Sequence, residues 1–431
     1  MSPELIGVMG IVVVLLLLAG RMWIGTAMAL VGFLGIALIR GFDLAYVSMV
    51  GQSFRQVASS TIAVVPMFVL MGNVIAQMGI GVDMYNCAYK WVGQIRGGLA
   101  AATVIACAGL AAISGNSTPA LATMSKVALP EMKKYHYNEE LANGCIVAAG
   151  GLAPLIPPSM PMVMYGVLAS QPIGKLFIGG ILPGLLLTVL YLVTIRIIVT
   201  VSPKQGPAGP RTTLKEKIIS LKYIWPVILL FALVLGGIYG GVFTPNEAGA
   251  VGALGSIIIV MSMRRFTLTG FIRILKDTAL MTAMILFIMA GSFIFIHFIS
   301  VSKLPFMLGE AILKINASPM SIFAIVFLVY VILGMFMDVM SIIMLTIPIV
   351  VPVMSALGFD LIWLGVILVL VFEIGLLTPP VGMDVFFYSG MSGTPVNVIF
   401  KGIWPFVLTI IICVIILTAF PNIVLLLPNN M

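Results

Sequence analysis

Apolar stretches of about 20 residues recur along the whole chain and constrain its fold more than any other feature. A helix of that length crosses the roughly 30 Å hydrocarbon core of a bilayer with all its backbone polar groups paired. Because 61% of the 431 residues are hydrophobic and only 8% are charged, the composition excludes a soluble domain. The sequence therefore predicts an all-α polytopic membrane protein, a single integral domain over 1–431. We expect ten crossings, near 4–20, 23–40, 58–79, 138–170, 176–201, 223–240, 246–263, 277–299, 360–392 and 403–427.

Basic residues predict the orientation of these crossings. The loop 202–222 holds five of them among Pro and Gly, and short basic loops stay in the cytoplasm. Counting crossings outward from this linker places 17 of the 22 Lys and Arg residues inside, and it places both termini on the other side. The net charge of +8 thus reports orientation, and we expect no nucleic-acid partner.

A sequence pattern recurs at a fixed offset. "LIPPSMPMVMYGVLAS" at 155–170 aligns with "LTPPVGMDVFFYSGMS" at 377–392, so the residue numbers differ by 222. Chance recurrence of Pro and Gly is the alternative, but one ungapped register carries four prolines onto four others. The pairs are Pro130 and Pro352, Pro157 and Pro379, Pro158 and Pro380, and Pro183 and Pro405. Five crossings, an odd number, separate the copies, so the second enters the membrane inverted. Many secondary transporters have this plan, with their sites between the repeats.

This repeat divides the chain into a scaffold and two related units. The first repeat is expected over 97–201 and the second over 277–427. Scaffold spans are expected over 1–80 and 223–263, on either side of the first repeat and the linker. Three short amphipathic or charged stretches, near 81–96, 265–277 and 302–316, lie between these parts, and the first and last are expected to act as arms.

Each repeat contains an apolar region that is interrupted by polar residues near its middle. In 97–129 the interruption is "SGNSTP" at 114–119, and in 317–357 the corresponding residues are "FMDVMS" at 336–341. A helix over 119–129 would be about 16 Å long, roughly half a bilayer. We therefore predict two re-entrant helical hairpins with these segments at their tips, each tip buried in protein or facing an aqueous cavity.

A Pro-Pro pair interrupts the span that follows each hairpin. Pro157-Pro158 and Pro379-Pro380 should break their helices and leave the preceding carbonyls, at 154–156 and 376–378, without amide donors. Free carbonyls suit a cation, and helix N-termini suit an anion. Each tip and its break should form a pocket, and hard oxygen ligands of this kind suit an alkali cation. The oxygen-bearing residues are Ser114, Asn116, Ser117, Thr118 and Ser159 in the first pocket, and Asp338, Ser341 and Thr378 in the second.

Other interpretations of these residues remain open. The first tip could be a polar turn, and Asp338 could be a locally capped acid at the second turn. Glu373 and Asp384, in the second broken span, could belong to the site or make structural polar contacts. No catalytic triad, P-loop or HExxH motif occurs, which argues against an enzyme and an ATPase. A channel would not need two inverted broken-helix pockets, so a secondary transporter is favoured.

Several of these motifs resemble the large membrane subunit, DctM type, of tripartite ATP-independent periplasmic (TRAP) transporters. The similar segments are "GNSTPALATMSKVALPEM", "PLIPPSMPMVMYG", "GVFTPNEAGAVGA", "GMFMDVMSIIMLTIPIVVPVMSALGFD" and "IGLLTPPVGMDVFF", which together span nearly the whole chain. Two residues depart from the family pattern: Pro119 after the first tip, where relatives often have a small residue, and Leu361 after "GFD", where Pro is common.

The resemblance implies a sodium-coupled importer of an organic acid, such as a sialic acid, a C4-dicarboxylate or a sugar acid, that works by an elevator mechanism. It implies a multi-pass protein of the bacterial inner membrane, with a small four-helix membrane subunit and a periplasmic substrate-binding protein as partners; in that membrane the orientation inferred from the basic residues makes both termini periplasmic. A lone-chain sodium-coupled anion symporter is the alternative. By resemblance, sodium-binding elements fall on Ser114, Gly115, Asn116 and Ser117 with the break Ile156, Pro158 and Ser159, and on Asp338 with the break Thr378, Pro380 and Gly382. Ser341 joins this predicted sodium set through its hydroxyl group in the second pocket. The candidate substrate contacts are Asn116, Thr118 and Asp384.

Overall fold

The computed structural model describes residues 2–77, 79–307 and 318–431, and this part of the chain contains helices and no strand. The α-helices whose bounds are described are α1 (Pro3–Ala19), α2 (Ile24–Arg40), α3 (Phe42–Val57), α4 (Val64–Gln77), α5 (Ile80–Val92), α6 (Gly98–Ser114), α7 (Ser117–Lys134), α8 (Glu139–Gly150), α9 (Met160–Leu168), α10 (Ile173–Val201), α11 (Leu214–Leu221), α12 (Trp225–Tyr239), α13 (Pro245–Ser262), α14 (Leu268–Val301), α15 (Pro319–Gly334), α16 (Val339–Ala356), α17 (Leu361–Leu377), α18 (Met383–Ser392), α19 (Val396–Ala419) and α20 (Asn422–Leu425). A 3₁₀ turn, Ser60–Ala63, leads into α4.

Every expected crossing coincides with one of these helices or with a helix broken in two. By length and composition alone, six described helices could cross a membrane. A seventh span results if α11 and α12, which meet at a bend of 46°, are counted as one helix. Five of the six are expected spans, and the sixth is α16. The remaining expected spans are α1 and α2, of 17 residues each, and the broken pairs α8–α9 and α17–α18.

The helix boundaries follow the offset between the repeats. Adding 222 to the numbers of Ser117–Lys134 gives Val339–Ala356, which are the bounds of α16. The hairpin α6–α7, the broken span α8–α9 and the span α10 thus correspond in order to α15–α16, α17–α18 and α19. The fold is an all-α polytopic membrane protein with two re-entrant hairpins in inverted repeats, as the sequence predicts.

Asparagine and aspartate caps start equivalent helices in the two repeats. The Asn116 side chain accepts a hydrogen bond from the Thr118 amide at the start of α7, and the Asp338 side chain accepts one from the Met340 amide at the start of α16. Asn138 and Asp360, related by the same offset, cap α8 and α17. These side chains bind amides that have no partner within their helices, so each half-helix begins at a fixed residue.

Three sequence-based expectations about single elements are wrong. The helix expected over 119–129 extends over Ser117–Lys134, about 27 Å at 1.5 Å per residue, because Pro130 removes one hydrogen bond without ending the helix. The stretch 265–277 and the next span form one 34-residue helix, α14, since 268–301 contains no proline. α3 was not expected, because its polar residues lower its hydropathy. Of the arm expected over 302–316, residues 308–316 lie outside the described residues.

Close contacts hold the two repeats together. Gly144 in α8 lies against the Gly402 backbone in α19, where an added Cβ would be 2.2 Å from the Gly402 carbonyl oxygen. The Tyr388 hydroxyl donates a 2.9 Å hydrogen bond to Asn143 Oδ1, and the Tyr165 hydroxyl donates one of 2.7 Å to the Leu361 carbonyl. Each bond joins one repeat to the other, so the two broken spans have a defined relative position.

Candidate functional site

The first tip is a sharp turn of two residues between α6 and α7. Gly115 has a φ of +60°, in the left-handed region that glycine adopts without a Cβ penalty. Asn116 then caps α7 through its Oδ1, which accepts a 3.2 Å hydrogen bond from the Thr118 amide. The Ser114 hydroxyl donates a bond of 3.4 Å to the Asn116 carbonyl. The side chains of Ser114 and Asn116 therefore pair with backbone groups of the tip and shape the turn.

This tip packs on the break of its own repeat. The Met160 amide donates a 3.4 Å hydrogen bond to the Gly115 carbonyl, and a Cβ on Gly115 would be 2.2 Å from the Pro158 carbonyl oxygen. The Pro157-Pro158 peptide is cis. The Ser159 hydroxyl caps α9 and donates to the Pro154 carbonyl. The expectation that the Pro154 carbonyl is unpaired is therefore wrong, because a side-chain hydroxyl replaces the missing amide.

The second tip has the same relation to its own break. The Gly382 amide donates a 3.3 Å hydrogen bond to the Met335 carbonyl, and Gly382 has a φ of +62°. Both carboxylate oxygens of Asp338 are used within their own turn. Oδ2 accepts from the amides of Met340 and Ser341, at 3.0 and 3.2 Å, and Oδ1 accepts from the Ser341 hydroxyl. Asp338 is thus a helix cap that remains exposed at the surface of the chain.

The sequence suggested two pockets, whereas the structure brings both tips to one cavity of about 340 Å³. The cavity lies between the two hairpin tips, α4 and α14, because the two repeats face each other across it. The predicted site residues in its wall are Ser114, Gly115, Asn116, Ser117, Thr118, Asp338 and Asp384. The predicted residues that do not line it are Ile156, Pro158, Ser159, Ser341, Thr378, Pro380 and Gly382. Apart from Ser341, these lie in the breaks behind the tips.

A second cavity of about 430 Å³ adjoins the first at the Asp338 tip. The two share a wall made of Asp338 and apolar residues of α14, α16 and α18. Ser341 lines this second cavity, and its far end reaches Trp23 in the link between α1 and α2. The Asp338 tip therefore lies between two neighbouring cavities: the first tip and α4 line one of them, and the α1–α2 link lines the other.

Methionines form much of the cavity wall, which the sequence did not indicate. Five of the 29 line the first cavity: Met160, Met281, Met284, Met340 and Met383. Asn73 of α4 also lies in the wall, where its side-chain amide donates a 3.0 Å hydrogen bond to Thr278 Oγ1 of α14. No local signal distinguishes these residues from packing residues, because their role depends on where distant helices meet.

Glu373 lies where the two broken spans cross. Its side chain is only 1% exposed, and neither carboxylate oxygen has a hydrogen-bond partner among the residues that the structure describes. A Cβ on Gly151 would be 1.9 Å from Glu373 Oε1. Because Gly151 and Glu373 are themselves related by the repeat offset, the carboxyl group of one copy occupies space left by the equivalent glycine of the other. Glu373 lies outside the wall of both cavities.

Comparison with known families gives a single answer. Residues 11–423 match the family described as "Tripartite ATP-independent periplasmic transporter, DctM component". The chain belongs to this family. It is 37% identical over 371 residues to the C4-dicarboxylate TRAP transporter large permease protein DctM of Pseudomonas aeruginosa, which covers 86% of each chain. It is 32% identical to the sialic acid TRAP transporter large permease protein SiaM of Vibrio cholerae, covering 94% of this chain and 98% of that one.

A solved structure supports the fold independently of sequence similarity. The YdaH transporter of Alcanivorax borkumensis, whose crystal structure is described as revealing an unusual topology, aligns with 98% of each chain at a TM-score of 0.56. At 12% identity this likeness concerns the fold alone. The chain is thus a multi-pass membrane protein of a transporter permease family.

Proposed function

We propose that this chain is the large membrane subunit of a sodium-coupled TRAP importer of an organic acid. Membership of the DctM component family supports this proposal, and relatives are named for C4-dicarboxylate and sialic acid transport. The partners would be a small four-helix membrane subunit and a periplasmic binding protein that delivers the substrate. The complex would act in the bacterial inner membrane, with both termini of this chain periplasmic. A lone-chain symporter is less well supported, because the matching relatives are large permeases of tripartite systems.

The convergence of both tips on one cavity is the observation that carries this proposal. Each tip is hydrogen-bonded to its own break, through Gly115 and Met160 in one repeat and Met335 and Gly382 in the other. Between tip and break lie hydroxyl, amide and carbonyl oxygens, the hard ligands that a sodium ion prefers. Ions held there would fix the tips, and the fixed tips would in turn shape the cavity wall that meets the substrate.

The proposed ligands differ between the repeats in formal charge. The first tip offers the neutral oxygens of Ser114, Asn116 and Ser117 beside the break at Ile156, Pro158 and Ser159. The second offers Asp338 and Ser341 beside Thr378, Pro380 and Gly382. A carboxylate in the membrane interior is costly and is usually functional. A bound cation would offset that cost at Asp338, whose own turn already supplies two amides.

An elevator movement of the two repeats is the mechanism that we propose. The hairpins and broken spans are bonded to each other, as through Tyr388 and Asn143, and would move together. The scaffold would be α1 to α4, α12 and α13. A disulfide that locks a hairpin to this scaffold should stop uptake and preserve sodium binding, whereas uptake through a completely crosslinked protein would exclude the movement.

The test compares two aspartates that cap helices in the same way. Asp338 and Asp360 each accept two backbone amide hydrogen bonds, and only Asp338 lines the cavities. Asparagine caps helices about as well as aspartate, so both substitutions preserve the cap and remove one charge. In proteoliposomes with the partner proteins, Asp338→Asn should raise the half-saturating sodium concentration at least tenfold, equivalent to about 1.4 kcal/mol, and Asp360→Asn should leave it unchanged.

Docking of the loaded binding protein serves as the control for assembly. It should be the same in both variants, because that protein meets the periplasmic surface. Wild-type sodium affinity and cooperativity in the assembled Asp338→Asn protein would show that Asp338 is only a cap. Uptake that needs no binding protein would favour the lone-chain symporter.

A further inference from the structure

Among the described residues, the walls of the two neighbouring cavities carry acidic side chains and no basic ones. The described residues that line them include two carboxyl groups, those of Asp338 and Asp384, and no Lys, Arg or His. An organic anion in these spaces therefore has no cationic side chain to pair with among the described residues of the wall. This distribution of charge constrains the substrate more than the shape of the cavities does.

Asp384 has an acceptor atom that the described part of the chain does not satisfy. The residue is 9% exposed and lies in the wall of the first cavity, at the second position of α18. The Ser117 side chain interacts with its carboxyl group across the two repeats, but Oδ2 has no hydrogen-bond partner among the described residues. A buried polar atom without a partner is rare and costly, which points to a donor supplied by a ligand.

Helix N-termini provide the positive end of the site. The first residues of α7, α9, α16 and α18 all line the first cavity: Ser117, Met160, Val339 and Met383. The partial positive charge at a helix N-terminus attracts carboxylates. A substrate carboxylate can therefore bind near these helix starts even though the described residues of the wall include no cationic side chain.

Asp384 is not among the proposed sodium ligands, which in the second repeat are Asp338, Ser341 and the break. An ion bound at the Asp338 tip would neutralise the charge of that tip and leave the carboxyl group of Asp384 facing the substrate. A dianion would then meet a like charge in a space of low dielectric, where repulsion is strong. A positive group on the substrate removes the repulsion and satisfies Oδ2. Phe387, three residues later in α18 and also in the wall, supplies an aromatic ring near the same position, and aromatic rings attract positive groups.

We propose that the substrate is a zwitterion, an acid that carries a protonated nitrogen, and that Asp384 binds this nitrogen while the helix N-termini hold the carboxylate. The inference rests on the proposed function, because it names the substrate class of that transporter. It makes Asp384 the residue that determines specificity between zwitterions and simple organic anions.

The experiment starts from the substrate that the transporter's own binding protein carries. That protein is purified from cells under native conditions, and its ligand is released and identified by mass spectrometry. We expect a compound with at least one carboxylate and one nitrogen that is protonated at neutral pH. A ligand that has carboxylates and hydroxyls but no such nitrogen would overturn the inference, whatever the variants show.

Uptake of the identified ligand then tests the role of Asp384. With the small subunit and saturating binding protein in proteoliposomes, Asp384→Asn should lower the initial rate at least tenfold, and Asp384→Glu should recover part of it. The half-saturating sodium concentration should stay within twofold of wild type in the Glu variant. An assembled Asn variant with the wild-type rate would refute the assignment.

Failure of the proposed function would look different from failure of this inference. If no ligand is taken up in a way that depends on sodium and on the binding protein, the importer proposal itself is wrong. If such uptake occurs with a simple organic anion, the importer proposal stands and the zwitterion is excluded.

Discussion

Replacing Gly115 by alanine forces the first tip away from its break. Gly115 has a φ of +60°, and the new Cβ would lie 2.2 Å from the Pro158 carbonyl oxygen. Ordinary van der Waals contact begins near 3.4 Å, so the two segments must move apart until that separation is restored. The hydrogen bond from the Met160 amide to the Gly115 carbonyl, already 3.4 Å long, would then be lost.

The cost of this change has two parts that can be measured separately. A left-handed backbone costs an alanine about 1–2 kcal/mol, and the lost hydrogen bond costs about 1 kcal/mol more. Gly241 isolates the first part, because it has a φ of +68° and no described atom lies within 4 Å of the position that a Cβ would take. Gly241→Ala should therefore lose about 1–2 kcal/mol of unfolding free energy, and Gly115→Ala about 2–3 kcal/mol.

Sodium-dependent measurements distinguish the two variants more sharply. If an ion binds between the first tip and its break, moving these two segments apart in Gly115→Ala should raise the half-saturating sodium concentration at least tenfold. This factor corresponds to about 1.4 kcal/mol. We would measure thermal unfolding in detergent with and without sodium, and initial uptake in proteoliposomes. Sodium should stabilise Gly241→Ala as it stabilises wild type and should barely stabilise Gly115→Ala. Equal sodium responses in the two variants would refute a role of tip spacing in ion binding.

Two further predictions concern the fold and its orientation. Gly402→Ala places a Cβ 1.8 Å from the Glu140 carbonyl oxygen and forces two helix backbones apart. We therefore expect the free energy of unfolding to fall by at least about 3 kcal/mol and little folded protein to appear on gel filtration. Gly236→Ala, whose new Cβ has no described atom within 4 Å, should elute as wild type. Cysteines placed at Gln205 and Asn429 of a cysteine-free variant should react with impermeant maleimide from opposite faces of the membrane. The reason is that 17 of 22 basic residues fit an orientation with the 202–222 loop inside and both termini outside. Reaction of both cysteines from one face would contradict this orientation.

The sequence determined those features that depend on local chemistry. Hydropathy located the crossings, because the bilayer requires about 20 apolar residues for each helix. The Pro-Pro pairs located both breaks, since proline removes amide donors wherever it occurs. The constant offset between the two copies predicted the inverted repeats, and the helix bounds of α7 and α16 follow it. Local chemistry also misled in one place, because Pro130 lies inside a continuous helix.

The tertiary structure decided the composition of the site. A sequence lists Ser117 and Asp384 as separate candidates, and only the packing of α18 against the first tip brings the two side chains together. The methionines of the wall and Asn73 belong to helices that meet the tips far from them in the chain. The same holds for Glu373, whose carboxyl group lies on Gly151 of the other repeat. Such contacts are set by how whole helices pack, because no property of the residues themselves encodes which distant backbone will approach them.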